Sequence, residues 1–193
     1  MAQQQFLEKV LTARVYDVAR ETSLDYMNRI SSRNGNKIWL KREDLQPVFS
    51  FKIRGAFNKI YLMLKANPGL SGVITASAGN HAQGVALSAK KLGLKAIIVM
   101  PVTTPDIKVS AVKSHGAKAI LYGENFDAAK KYALDMSAQE GLAFIHPFDD
   151  VDVMAGQATI AHEIIRQHPD HIDAIFVPVG GGGLAAGIAG FLK

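Results

Sequence analysis

Short apolar runs alternate with longer stretches of helical spacing through the middle of the chain. The runs fall at residues 73–74, 96–99, 119–121 and 142–145. The stretches between them, at 82–92, 107–114 and 126–139, repeat apolar residues every three or four positions. Because strands that alternate with helices indicate βαβ units, this pattern predicts an α/β protein with parallel sheets and helices on both faces.

The two ends of the chain predict further elements. Apolar positions in 6–19 have helical spacing with a break near Thr12, and a turn at 34–36 precedes a β-prone run at 37–41. The later elements are predicted as helices at 53–65 and 153–167, a buried strand at 172–179 and a buried helix that starts near Leu184.

One uncharged stretch raises the question of a membrane span. Residues 174–192 carry no charge and are long enough to cross a bilayer. They contain Pro178 and four consecutive glycines, and each glycine costs about 1 kcal/mol relative to alanine in a helix. A strand, a glycine loop and a helix therefore fit better than one membrane-spanning helix, and we expect no membrane association.

The amino-acid composition limits the classes of protein to which this chain can belong. The 193 residues are 48% hydrophobic, which predicts a folded core rather than a disordered chain. Cysteine is absent from the sequence, which excludes disulfides, thiolate metal sites and cysteine nucleophiles. The formal charge of +5 is scattered along the chain, whereas nucleic-acid-binding surfaces concentrate basic residues. Because the basic residues are scattered, we expect no nucleic-acid binding. The first residues carry no export signal, so we expect a cytoplasmic protein.

A lysine lies between apolar residues at the start of a predicted helix, in Ser50-Phe51-Lys52-Ile53-Arg54-Gly55. Apolar surroundings disfavour an ammonium group, and desolvated lysines with a lowered pKa form Schiff bases with carbonyl compounds. Lys52 is therefore a candidate catalytic residue. The alternative, which this motif alone favours, is an exposed lysine whose stem covers the start of the helix.

A second motif, residues 74–81, leads from a strand into a helix through small residues. The N–H groups at a helix N-terminus bind anions, and the side chains of Ser77 and Asn80 add hydrogen bonds. This motif is a candidate site for a carboxylate or phosphate. The alternative is that Ser77 and Asn80 are simple helix caps and that His81 is a surface residue.

The third motif is a run of glycines between a predicted strand and a predicted helix, Val179-Gly180-Gly181-Gly182-Gly183-Leu184. Consecutive glycines let the backbone approach a ligand and direct several N–H groups at one anion, so this loop predicts phosphate binding. It matches neither the dinucleotide fingerprint nor a Walker loop, which argues against NAD and ATP.

The remaining polar clusters predict no further site. His146, His162, His168 and His171 lack the spacing of metal ligands, so no metal is expected. The acidic run at 149–152 is interpreted as a loop that caps the next helix, with a two-carboxylate site as the alternative.

Together the three motifs resemble those of the tryptophan-synthase-β-like (fold type II) family of pyridoxal-phosphate enzymes. Within that family they are most similar to the threonine dehydratases (threonine ammonia-lyases) of the biosynthetic type. The resemblance runs from about residue 6 to residue 193 and also includes Lys41-Arg42-Glu43-Asp44, Gln46-Pro47-Val48 and Ala155-Gly156-Gln157.

The resemblance implies a role for each residue of the motifs. Lys52 would form the Schiff base with pyridoxal phosphate and, once released by substrate, move the α-proton. Phe51 would pack on the cofactor ring, and Asn80 would bond the ring hydroxyl. The substrate carboxylate would be bound by Ser77, Asn80 and His81, and the cofactor phosphate by Gly180, Gly181, Gly182, Gly183 and Leu184.

The implied reaction converts L-threonine, and also L-serine, to the 2-oxo acid and ammonia, as the first step of isoleucine biosynthesis. Two other functions are considered: another enzyme of the same family, such as a serine racemase or a threonine synthase, and a catalytically inactive module for folding or interaction. Product analysis and turnover separate these three functions.

The resemblance also implies a domain organisation. Residues 45–146 would form the smaller domain, and residues 1–44 and 147–193 would belong to a larger domain. Family members continue past this point with the serine that contacts the pyridine nitrogen, so the chain is expected to be an N-terminal part with that domain incomplete. The full-length form is expected to be a homo-oligomer.

Overall fold

The N-terminal part of the chain forms short elements around a two-stranded sheet. The structure is a computed structural model and describes residues 3–193. Its first elements are helix α1 (Gln3–Leu11), strand β1 (Leu24–Tyr26), helix α2 (Asn28–Asn34) and strand β2 (Trp39–Lys41). Strands β1 and β2 pair antiparallel. The predicted break near Thr12 is confirmed, because α1 ends at Leu11. Strand β1 and helix α2 were not predicted. The strand is only three residues long and the helix is mostly polar, so neither shows a repeating pattern of apolar residues.

The middle of the chain forms the predicted alternation. Its elements are α3 (Lys52–Ala66), β3 (Gly72–Ala76), α4 (Asn80–Lys91), β4 (Lys95–Met100), α5 (Asp106–Ser114), β5 (Lys118–Leu121), α6 (Phe126–Glu140) and β6 (Ala143–Phe144). The four strands pair in parallel in the order β5-β4-β3-β6. The predicted α/β class with a parallel sheet is confirmed.

Both faces of this sheet are covered. On one face, Ile60 of α3 and Val85 of α4 belong to the same buried cluster as Ile98 of β4. On the other face, Ile74 and Val99 pack against Ala129 of α6. Burial on both faces explains why β3 consists of apolar and small residues without polar alternation.

The last part of the chain contains two helices, α7 (Val151–Gln167) and α8 (Gly183–Leu192). The prediction of a buried strand at 172–179 is wrong: within residues 3–193 this segment pairs with no strand. Phe176 is 94% exposed and Val179 is 70% exposed, whereas Ile172 and Ile175 pack against the α7–α8 pair. A strand requires a hydrogen-bonded neighbour, and the apolar pattern contains no information about that neighbour.

The helix predicted near Leu184 is confirmed as α8. None of the helices described over residues 3–193 is both long enough and apolar enough to cross a membrane.

Glycines bring helix α3 close to two other helices. A Cβ on Gly156 of α7 would lie 2.7 Å from the Cα of Gly55, and a Cβ on Gly84 of α4 would lie 3.2 Å from the backbone of Lys52 and Ile53. The buried Gln157 side chain accepts a hydrogen bond from the Gly55 N–H at 3.2 Å. The first turn of α3 is therefore held between α4 and α7.

A buried ion-pair network fixes the other side of the same turn. The Arg54 side chain is fully buried and donates to Glu163 on α7 at 2.6 Å and to Glu43 at 2.7 Å. Lys41 pairs with Glu163 at 2.6 Å, and the Tyr16 hydroxyl donates to the same carboxylate at 2.7 Å. Because each buried charge is paired, the network joins the N-terminal segment to both α3 and α7.

Candidate active site

Lys52 is the first residue of α3 and its amine is turned into the protein. Nζ donates a hydrogen bond to the carbonyl oxygen of Pro147 at 2.7 Å and lies 5.5 Å from the centre of the Phe51 ring. Burial lowers the pKa of Lys52, because removal from water disfavours the ammonium form. The arrangement is that of a partly desolvated amine, not of a lysine extended into solvent.

The backbone before Lys52 has an unusual conformation. Phe49 has a φ of 55°, in the left-handed region, and its side chain is 78% exposed. The buried Gln46 side chain holds the preceding loop by accepting from the N–H of Arg20 at 2.9 Å. Ser50 Oγ then accepts from the N–H of Lys52 at 3.3 Å. The chain thus turns sharply at Phe49 and enters α3 with Lys52 on the inner side.

The N-terminus of α4 follows the carboxyl end of β3, as the second motif predicted. Gly79 is the N-cap and no side chain caps the helix. Ser77 Oγ accepts from the Gly79 N–H at 3.2 Å, and Asn80 is exposed at the first position of the helix. The interpretation of Ser77 and Asn80 as simple caps is therefore wrong, and within residues 3–193 no side chain accepts a hydrogen bond from the first N–H groups of α4.

His81 is buried, which contradicts its interpretation as a surface histidine. Its Nε2 lies 3.1 Å from the carbonyl oxygen of Ile145, and its Nδ1 has no hydrogen-bond partner among residues 3–193. Burial, with a smaller effect from the charge of Lys52, lowers the pKa of His81 to about 3. Since a carbonyl only accepts, Nε2 carries the proton of a neutral ring and Nδ1 presents a lone pair.

The glycine motif forms the N-terminus of α8. Gly182 is the N-cap with a φ of 85°, a left-handed conformation that favours glycine. In the described part of the chain no side chain caps this helix. Phe148 lies directly against the loop: a Cβ on Gly181 would overlap the Phe148 ring, and one on Gly183 would lie 2.7 Å from the Phe148 carbonyl oxygen. Backbone N–H groups at such a helix start form a site for an anion.

All three motifs contact the segment that follows strand β6. The Ile145 carbonyl accepts from Thr75 Oγ1 at 2.8 Å and faces His81, and the Pro147 carbonyl accepts from Lys52. The next residue, Phe148, touches the glycine loop. Residues 145–148 therefore bring the amine and both helix N-termini to the carboxyl ends of β3 and β6, where parallel sheets bind ligands.

The sequence pattern predicts no role for this segment. The only available signal was its position directly after an apolar run, at the expected carboxyl end of a strand. The buried Arg54 network was also not identified, because a charged residue in a helical pattern normally indicates the solvent-exposed face.

The acidic run caps a helix, as interpreted. Asp150 is the N-cap of α7 and its side chain accepts from the N–H groups of Asp152 and Val153. Asp152 in turn pairs with Lys9 at 2.8 Å and with Lys59 at 3.1 Å. These carboxylates are engaged in structural contacts.

Comparison with known proteins assigns a family to this arrangement. The model of the family described as pyridoxal-phosphate dependent enzyme matches residues 15–193. The L-threonine dehydratase biosynthetic IlvA of Burkholderia multivorans is 57% identical over 196 residues, covering 100% of this chain and 38% of that protein. The threonine dehydratase 1 biosynthetic, chloroplastic, of Solanum lycopersicum is 57% identical over 189 residues, covering 98% of this chain and 31% of that protein.

A solved structure has the same fold. The processed form of threonine deaminase isoform 2 from Solanum lycopersicum superposes with a TM-score of 0.94 at 52% sequence identity, covering 99% of this chain and 52% of that one. The chain thus spans about a third of the length of these two relatives and about half of the solved chain.

Proposed function

This chain belongs to the family of pyridoxal-phosphate dependent enzymes, and we propose that it supplies the reactive lysine, the substrate-carboxylate site and the cofactor-phosphate site of a biosynthetic threonine dehydratase. The observation that carries this proposal is the Lys52 amine, which is partly desolvated and bonded to the Pro147 carbonyl, in the segment 145–148 that also contacts His81 and the glycine loop.

The residues of the site fit pyridoxal phosphate. An amine with a lowered pKa suits condensation with an aldehyde, and a glycine loop too close to Phe148 for any Cβ on Gly181 suits a backbone phosphate site. The unpartnered Nδ1 of His81 is a buried polar atom that a ligand group can bond.

Each site residue receives a role under this proposal. Lys52 would hold the aldehyde carbon, Phe51 would face the ring, and Asn80 would bond the ring hydroxyl. Ser77, Asn80 and the backbone at His81 would bind the substrate carboxylate, and Gly180, Gly181, Gly182, Gly183 and Leu184 would bind the phosphate.

Bound pyridoxal phosphate supplies an electron sink that stabilises negative charge on the substrate Cα. The chain supplies the proton transfer and the orientation. Because burial lowers the pKa of Lys52, a larger fraction of its amine is neutral near neutral pH and able to accept the α-proton. The N-terminus of α4 would bind the carboxylate through its backbone N–H groups and its partial positive charge, while the adjacent His81 ring is neutral.

The net reaction removes the α-proton and the β-hydroxyl of L-threonine as water. Hydrolysis of the remaining carbon–nitrogen bond then gives 2-oxobutanoate and ammonia. L-Serine, which lacks only the terminal methyl group, is the second proposed substrate. We place the reaction in isoleucine biosynthesis and in the cytoplasm, and we propose that the full-length protein is a homo-oligomer, with 45–146 as the smaller domain.

The test is titration of the full-length protein with pyridoxal phosphate, followed by absorption spectroscopy. We expect a visible Schiff-base band that is absent in Lys52→Ala and retained in Lys131→Ala, since Lys131 is exposed and pairs with Asp135. Product analysis with threonine and with serine then separates dehydration from racemisation. A full-length protein that gives no band, or a band that persists in Lys52→Ala, contradicts the proposal.

A further inference from the structure

The ring of Phe148 occupies the space that a side chain at residue 181 would need. A Cβ built on Gly181 overlaps three atoms of that ring. Phe148 is half-buried, and the His146 ring packs against it edge-on with 4.8 Å between the ring centres. The ring is thus held on one side by His146 and meets the glycine loop on the other.

The same residue is linked through the backbone to the reactive amine. Phe148 directly follows Pro147, whose carbonyl oxygen accepts the hydrogen bond from Lys52 Nζ at 2.7 Å. The Phe148 carbonyl oxygen lies next to Gly183, since a Cβ there would approach it to 2.7 Å. One short segment therefore contacts the amine at one residue and two glycines of the loop at the next.

We infer that Phe148 is a positioning residue that sets the glycine loop, and with it the phosphate site, at a fixed place relative to Lys52. This inference rests on the proposed function, because it assigns the loop to the cofactor phosphate. The ring requires glycine at 181, and the backbone of Phe148 requires glycine at 183.

The test is whether Phe148→Ala restores the cofactor binding that Gly181→Ala weakens. Gly181→Ala introduces a methyl group where the ring lies, so we expect it to weaken pyridoxal phosphate binding about tenfold. Phe148→Ala alone removes the support and weakens binding by a smaller factor. The double variant Gly181→Ala/Phe148→Ala removes the overlap, so it binds more tightly than Gly181→Ala alone.

Two neighbouring glycines provide matched controls. Gly183→Ala meets the backbone of Phe148, which the Phe148→Ala substitution leaves in place. Gly182→Ala is strained by its φ of 85° and has no neighbouring atom within 4 Å of the added Cβ. Neither variant is therefore rescued by Phe148→Ala, although both lie in the same loop.

A second measurement separates positioning of the phosphate site from loss of structure. Pyridoxal lacks the phosphate but has the same aldehyde, so the ratio of its dissociation constant to that of pyridoxal phosphate reports the phosphate site. We expect this ratio to fall in Gly181→Ala and to recover in the double variant. General destabilisation of the protein weakens the binding of both ligands and leaves the ratio of the two dissociation constants unchanged.

The possible outcomes are distinct. The inference is supported if Phe148→Ala restores binding in Gly181→Ala but not in Gly182→Ala or Gly183→Ala, and if the ratio of dissociation constants recovers in the double variant. Equal binding by Gly181→Ala and the double variant contradicts it while leaving the proposed function intact. Failure of the unaltered full-length protein to bind pyridoxal phosphate contradicts the proposed function and the inference that rests on it.

Discussion

Gly156 of α7 lies against Gly55 of α3 at the point where the two helices cross. A Cβ on Gly156 would lie 2.7 Å from the Gly55 Cα and 2.8 Å from the Arg54 carbonyl oxygen. These neighbours are backbone atoms, which cannot rotate away as a side chain can. The contact lies one turn after Lys52 and therefore determines how the start of α3 is placed.

Replacing Gly156 by alanine is expected to push α3 and α7 apart. Overpacking of a close-packed contact costs about 1–3 kcal/mol, so the free energy of unfolding falls by about 2 kcal/mol. Urea unfolding followed by circular dichroism measures the change. Gly69→Ala is the control, because Gly69 is exposed and its Cβ would be 3.4 Å from its nearest neighbour. Equal stability of the two variants would contradict this account of the crossing.

The ion pair between Arg54 and Glu163 predicts acid sensitivity. Burial raises the pKa of Glu163, but hydrogen bonds and charge from Arg54, Lys41 and Tyr16 outweigh it and hold this pKa below the ordinary value of 4.5. Since the carboxyl binds its proton more weakly in the folded state, its contribution to stability is complete above pH 4.5. That contribution is lost as the pH falls through the lower folded-state pKa.

Glu163→Gln tests this dependence. At pH 7 the variant leaves Arg54 buried without its full charge partner, so we expect a loss of about 3 kcal/mol in the free energy of unfolding. The difference from the unaltered chain shrinks at low pH. Asp152→Asn is the comparison: its partners Lys9 and Lys59 are partly exposed, so its cost is smaller. If the effect of Glu163→Gln on the free energy of unfolding did not change with pH, the predicted dependence of stability on the Glu163 charge would be contradicted.

The lowered pKa of Lys52 predicts selective chemical modification. Acylating reagents attack only the neutral amine, so Lys52 is expected to react at lower pH than the exposed lysines despite its partial burial. Mass spectrometry of peptides after brief treatment with acetic anhydride at several pH values measures this order. Lys131 is the internal reference, because its hydrogen bond with Asp135 raises the pKa of that amine. Modification of Lys131 at a lower pH than Lys52 would show that the pKa of Lys52 is not lowered.

The left-handed conformation of Phe49 predicts a stabilising substitution. A non-glycine residue in this region costs about 1–2 kcal/mol, and asparagine tolerates it better than phenylalanine. Because the Phe49 ring is 78% exposed, its removal loses little packing. Phe49→Asn should therefore increase the free energy of unfolding by about 0.5–1 kcal/mol. Phe49→Ala, which keeps a Cβ without a polar group, should give no increase, and a decrease in Phe49→Asn would show that the ring is needed.

The sequence by itself determined the alternation of strands and helices from α3 to β6, the capping role of the acidic run at 149–152 and the positions of the three motifs. These features depend on spacing within a few residues, which the hydrophobic pattern and the preferences of glycine and asparagine reveal directly. The same local signals marked Lys52, Asn80 and the glycine loop only as candidates, and their predicted roles came from the family resemblance.

Only the tertiary structure decided which of these elements meet. Lys52 and Pro147 are separated by 95 positions, and Arg54 and Glu163 by 109. Neither pair leaves a periodic signal, since each contact arises when helices already formed pack on one another. The same reason explains the error at 172–179: an apolar run favours an extended conformation, but a strand exists only where another strand supplies its hydrogen bonds.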